Sequence, residues 1–154
     1  MAQISVITFK REFIEQFLTQ VPAQLEHWGI YVEYEDNNNS IFLYHADKSN
    51  LFCPFTKFFP KEWSKDGGWL KKGRADKVDH LVLVGYSGKL THEEMHKICT
   101  QLTANRFFNT LSNNCQSWVN TVLLELVNTG NLSELTLENF ILENQISPLL
   151  GWSN

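Results

Sequence analysis

The sequence predicts an α+β domain, an antiparallel sheet packed against a helix that begins at a cysteine. Two patterns carry that prediction. From Glu26 the residues alternate, with Trp28, Ile30, Val32 and Tyr34 on one face and His27, Gly29, Tyr31 and Glu33 on the other. From Cys115 apolar residues step by three and four through Trp118, Val119, Val122, Leu123, Leu126 and Val127, the spacing of a helix with one buried stripe. With 154 residues, 43% apolar and 19% charged, the chain is sized and composed as a single folded domain, residues 1–154.

In chain order, Ile4 to Phe9 reads as a short first strand. Phe13, Ile14, Phe17, Leu18 and Val21 then carry helical spacing up to Pro22. Asp36 to Asn39 is a turn, since Asn and Asp tolerate left-handed angles and bond their own main chain. Ile41 to Asp47 returns as a strand, with Phe42, Tyr44 and Ala46 on one face and Ile41, Leu43 and His45 on the other. Such a hairpin brings His27 and His45 to the same end, roughly across from each other; a slip of one residue would reverse the facing of His45.

Asn50 to Arg74 reads as an irregular aromatic loop (Phe52, Phe55, Phe58, Phe59, Trp63, Trp69) broken by Pro54, Pro60 and Gly67-Gly68, either plugging the core or facing a substrate. Val78 to Gly85 reads as a buried strand ended by the turn Tyr86-Ser87-Gly88. Thr91 and Glu94 have capping-box spacing ahead of a stripe of Met95, Ile98, Cys99 and Leu102, which makes Cys99 inert core. His92 and His96 share a helix face without a carboxylate or thiol to complete a metal set, and read as surface histidines. After a helix-ending turn at Asn128 to Asn131, Ser133 caps a last helix through Leu135, Phe140, Ile141 and Leu142.

Net charge is −4 and the isoelectric point about 5.7, which argues against general attraction to nucleic acid or anionic lipid. Three cysteines (Cys53, Cys99, Cys115) without metal-type spacing argue against a disulfide framework or a structural zinc, and for a reducing compartment. Met1 to Phe9 is too short and mixed for a signal peptide, and no segment has the apolar length of a membrane span. The expectation is a soluble protein with no metal and no cofactor.

Ser112, Asn113 and Asn114 are residue types that cap a helix start, so Cys115 falls in the first turn. Free backbone N–H groups and the positive end of the helix dipole there favour an anion, so the thiol should ionise readily, and the thiolate is the nucleophile. The competing reading is a small residue buried at a helix end. A nucleophilic thiol needs a base that also returns the proton, which histidine does near neutral pH, and a polar group to orient that base. His27 and His45 are the candidates.

His27-Trp-Gly-Ile-Tyr-Val, then Tyr44-His45, then Asn114-Cys115-Gln-Ser-Trp-Val resembles the circularly permuted papain-like proteins of the NlpC/P60 superfamily. The resemblance is closest to the branch of lecithin:retinol acyltransferase and the H-rev107-like phospholipases/acyltransferases, and covers roughly Glu26 to Leu126. It implies a permuted papain-like fold with Cys115 as nucleophile, His27 as general base and acid, and His45 as the residue orienting His27, with Asp47 its substitute in a different register. The Cys115 N–H would be an oxyanion donor. The hairpin between the two histidines is longer than in the lipid-acting branch. The C-terminal apolar anchor common there is absent, since Glu143, Asn144, Gln145 and Pro148 interrupt Ile141 to Trp152.

Three functions follow as expectations. The first is a cysteine hydrolase or acyltransferase acting on an acyl ester or amide through a thioester. The second is a cysteine peptidase or deamidase acting on a protein or peptide, compatible with a bacterial effector delivered into a host cytosol. The third is a binding module on the same fold without turnover, against which an intact Cys/His/His set argues.

Overall fold

Alternating side chains make strands, and the structure, a computed structural model, forms them where the sequence alternates. It describes residues 1–9, 27–36, 39–48, 56–63, 78–104 and 115–144. The strands are β1 (Ala2–Phe9), β2 (His27–Tyr34), β3 (Ile41–Lys48), β4 (Thr56–Trp63) and β5 (Val78–Ser87). They form one sheet in the order β4-β3-β2-β1-β5, and every neighbouring pair is antiparallel. Three helices follow: α1 (His92–Thr103), α2 (Cys115–Asn128) and α3 (Glu134–Glu143). The class is α+β. The expected helix between Phe13 and Val21, Cys53, and Gly67-Gly68 lie outside the described residues.

One sheet face carries the helices. Ala2, Ile4 and Val6 of β1, Ile30, Val32 and Tyr34 of β2, Tyr44 and Ala46 of β3 and Val84 of β5 pack there with Met95, Ile98 and Cys99 of α1, with Trp118, Val119, Val122, Leu123 and Leu126 of α2, and with Leu137 and Phe140 of α3. Ile7, Tyr31, Ile41 and Leu43 form a second buried cluster on the other face. Both alternating sets of β2 and β3 are therefore buried at the centre of the sheet.

Three expectations need correction. The segment read as an irregular loop contains β4; Pro60 masked the strand pattern, yet an edge strand accommodates a residue that cannot donate to the ladder. The strand read as buried is the opposite edge, with Leu81, Leu83 and Tyr86 about half exposed, since β5 pairs only with β1 among the described residues. The last helix forms where the sequence puts it, with Leu137 and Phe140 buried and Leu135 and Leu142 facing solvent. His92 is not a surface histidine. Its ring stacks on Phe42 at 3.7 Å between centroids, and its Nδ1 lies 2.6 Å from the Tyr44 hydroxyl.

The caps form as expected. Thr91 Oγ1 accepts from Glu94 N–H at 3.2 Å, Ser133 Oγ accepts from Thr136 N–H at 3.1 Å, and Gly130 takes the left-handed φ of 76° that ends α2. Asn39 at φ 46° closes the β2–β3 turn, with the Asp36 carboxylate accepting from Ser40 N–H and Oγ–H. Among the described residues no helix is long and apolar enough to cross a membrane.

Tyr34 and Tyr44 share a 2.6 Å hydrogen bond inside the core, and Tyr44 reaches on to His92. Burial holds both phenols protonated far above their ordinary range, and pushes Tyr31 up to about 12 with help from Glu33. Above about pH 10 the unfolded chain releases these protons while the folded one keeps them, so stability should be flat below that pH and fall as pH rises through it. Tyr44→Phe removes the hydroxyl bridging Tyr34 and His92 and should cost about 1–3 kcal/mol in urea unfolding at neutral pH, with a shallower alkaline decline. An unchanged unfolding midpoint would show that this chain of hydroxyls contributes nothing.

Candidate functional site

Helix α2 opens on Cys115 itself. Every residue from Cys115 to Asn120 is buried, Cys115 at 7% exposure, so the first turns are enclosed all round while the second half keeps an exposed side at Leu124. The cap candidates Ser112, Asn113 and Asn114 lie outside the described residues. Neither Cys99 nor Cys115 is joined in a disulfide. Cys99 is fully buried and desolvation pushes its thiol well up, the inert core cysteine the sequence implies.

The direction of α2 follows from its two ends. Near the C-terminal end, Leu132 and Thr136 meet Gly85 of β5, Lys89 Nζ donates to Thr129 O at 2.8 Å, and Ser87 Oγ donates to Asn131 at 3.1 Å. Ser87 pairs with Ala2, and Ala2 with Tyr34, so this is the end of the sheet where β2 finishes. Fourteen residues span about 20 Å. At the N-terminal end Trp118 stacks on Phe58 of β4 at 5.9 Å, and Phe58 pairs with Ala46 of β3. The β2–β3 register ends with Ile30 against Tyr44 and, carried on, would set Trp28 against Ala46. Trp118 thus stands over the row containing Trp28, and Cys115, one turn earlier, lies toward the end where β2 begins with His27.

The same register sets His45 beside Gly29. A Cβ built on Gly29 would come within 3.4 Å of His45 Cβ, 3.0 Å of Leu43 Cδ1 and 3.1 Å of Tyr44 O. Carried on past Ile30–Tyr44, the register would make position 27 the diagonal neighbour of position 45 and the direct partner of position 47. His27 is backbone-paired with Phe9 on β1; the side chains of His27 and Asp47 lie outside the described residues. Alternation puts positions 27 and 45 in the register of Gly29, Tyr31 and Leu43, on the face away from the helices. The chain thus brings Cys115 and position 27 to one end of the sheet without setting them across one face.

Two features escaped sequence reasoning. Trp28 Nε1 and Asn120 Nδ2 are buried donors with no acceptor among the described residues, on the strand and helix that pack together at this end. The bond from Trp118 Nε1 to Thr103 Oγ1, 2.7 Å, ties α2 to the end of α1. A Trp at helical spacing signals only burial, and the partner lies fifteen residues away on another helix. Among the described residues no group of three or more His, Cys, Asp or Glu side chains could hold a metal ion. Compared with family models, curated proteins and solved structures, the chain matches none.

Gly29→Val is expected to cost about 1–3 kcal/mol by urea unfolding, because its Cβ meets a backbone carbonyl that cannot yield and pushes on Leu43 and His45. A variant as stable as the parent would mean that β2 and β3 are spaced more widely there.

Proposed function

We propose that this chain is a cysteine-dependent acyl-transfer enzyme of the permuted papain-like type, with Cys115 as nucleophile, His27 as base and acid, and His45 orienting the imidazole. The observation that carries the reading is that α2 starts at Cys115 toward the end of the sheet at which β2 starts with His27, and runs from there toward the end at which β2 finishes. His27 takes the thiol proton, and the thiolate adds to an ester or amide carbonyl. The oxyanion then collapses to a thioester while the leaving alcohol or amine takes the proton from His27. Water or another acceptor, deprotonated by the same imidazole, releases the acyl group and restores the thiol. Amides at the start of α2 would stabilise the oxyanion.

Since positions 27 and 45 belong to the far face, thiol and imidazole meet around the end of the sheet in this reading. Position 27 is the first residue of its strand. The substrate is an acyl ester or amide, carried by a lipid or by a protein or peptide, and cysteines outside any disulfide at positions 99 and 115 fit a reducing compartment. The alternation itself favours a second reading, a module that binds at this end without turnover.

Site-resolved iodoacetamide labelling across pH separates the two. An enzyme should show Cys115 reacting well below the ordinary thiol range of about 8.5, and His27→Ala should abolish that advantage. Cys99 should stay unlabelled throughout. A Cys115 that titrates like a free cysteine, in parent and variant alike, leaves the binding module. Mass spectrometry of the protein quenched in acid after exposure to short-chain acyl esters, phospholipid vesicles or peptide amides should then find a thioester on Cys115. Its mass assigns the substrate class.

A further inference from the structure

The rotation of α2 about its own axis sets where its first side chain points, and Trp118 is a buried residue of its first turns that also makes a hydrogen bond to a neighbouring helix. Trp118 is 1% exposed and sits one turn after Cys115 on the same side of the helix. From the sheet, Phe58 of β4 lies against its ring at 26° between planes. From α1, Thr103 Oγ1 receives its indole N–H. Thr103 is buried too, and its only hydroxyl hydrogen goes to Cys99 O at 2.6 Å. An indole nitrogen can only donate, and a hydroxyl whose hydrogen is committed can only accept, so this contact has a single polarity and a single geometry. Sliding or turning α2 would leave a buried N–H without a partner.

We propose that Thr103 and Trp118 are positioning residues for Cys115, clamping the first turn of α2 at the rotation that presents the sulfur. The proposal rests on the nucleophile reading above. Neither residue touches substrate; they act through the angle of the helix. The pair also makes the α1–α2 junction part of the site, although Thr103 and Cys115 are twelve residues apart and neither sequence neighbourhood hints at the other.

The test is the pH profile of Cys115 alkylation in the full chain, read by mass spectrometry beside thermal unfolding. Thr103→Val keeps the shape and removes the acceptor. It should shift the Cys115 profile to higher pH and slow alkylation at neutral pH on the order of tenfold in protein that is still folded. Thr103→Ser should keep the parental profile. Trp118→Phe removes the donor from the other side, and the Thr103→Val/Trp118→Phe pair should be no slower than the slower single variant, since both break one bond. If Thr103→Val does not fold, the comparison of Trp118→Phe with Thr103→Ser carries the same test. A parental Cys115 profile in folded Thr103→Val or Trp118→Phe overturns the clamp and leaves the acyl-transfer reading standing. A parent Cys115 that itself behaves as a free thiol overturns that reading, and the clamp with it.

Discussion

Helix α2 has only one place to lie, because the strands beneath it are buried on both faces and only one face offers the layer its stripe fits. Ile30, Val32 and Tyr44 present that layer, and Val119, Val122 and Leu126 cover it. The Ile30–Tyr44 register settles which side chains belong to it. A shift of one residue would send Tyr44 and Ala46 to the far face and bring Leu43 and His45 under the helix. Gly29 helps hold this register, since a larger residue there would force β2 and β3 apart.

Above that register runs a continuous aromatic layer. His92 lies on Phe42, Phe42 on Tyr44 at 6.0 Å, Tyr44 on Phe58 at 6.1 Å, and Phe58 on Trp118 at 5.9 Å. It runs from the first residue of α1 to the first turns of α2. Its polar tips are taken up by Tyr34, by the histidine and by Thr103, so large rings are buried without stranding their donors. Stacked rings fix relative orientation better than aliphatic contacts do. The start of α2 is therefore built as a defined junction of β4, α1 and the sheet.

Much of this was legible in the chain. Period-two alternation in β2 and β3 assigned both faces correctly, because successive side chains of a strand point to opposite faces whatever covers each face. The caps at Thr91 and Ser133 and the left-handed Gly130 were equally visible, since such signals act within four residues. Strand β4 was hidden by Pro60, and the edge position of β5 by an apolar run identical to that of a central strand. His92 looked like a solvent residue for the same reason, as its partners Phe42 and Tyr44 are about fifty positions away.

Local chemistry written along the chain determined the α+β class, the hairpin faces, the helix starting at Cys115 and the choice of Cys115, His27 and His45 as candidates. Tertiary packing alone decided the order of the strands, the end of the sheet at which α2 begins, the placing of His45 beside Gly29 rather than across from His27, and the grip of Thr103 on Trp118. The division has a physical cause. Side-chain periodicity and capping depend on neighbours a few residues apart, whereas register, helix rotation and hydrogen bonds between elements depend on which distant surfaces fill the same volume.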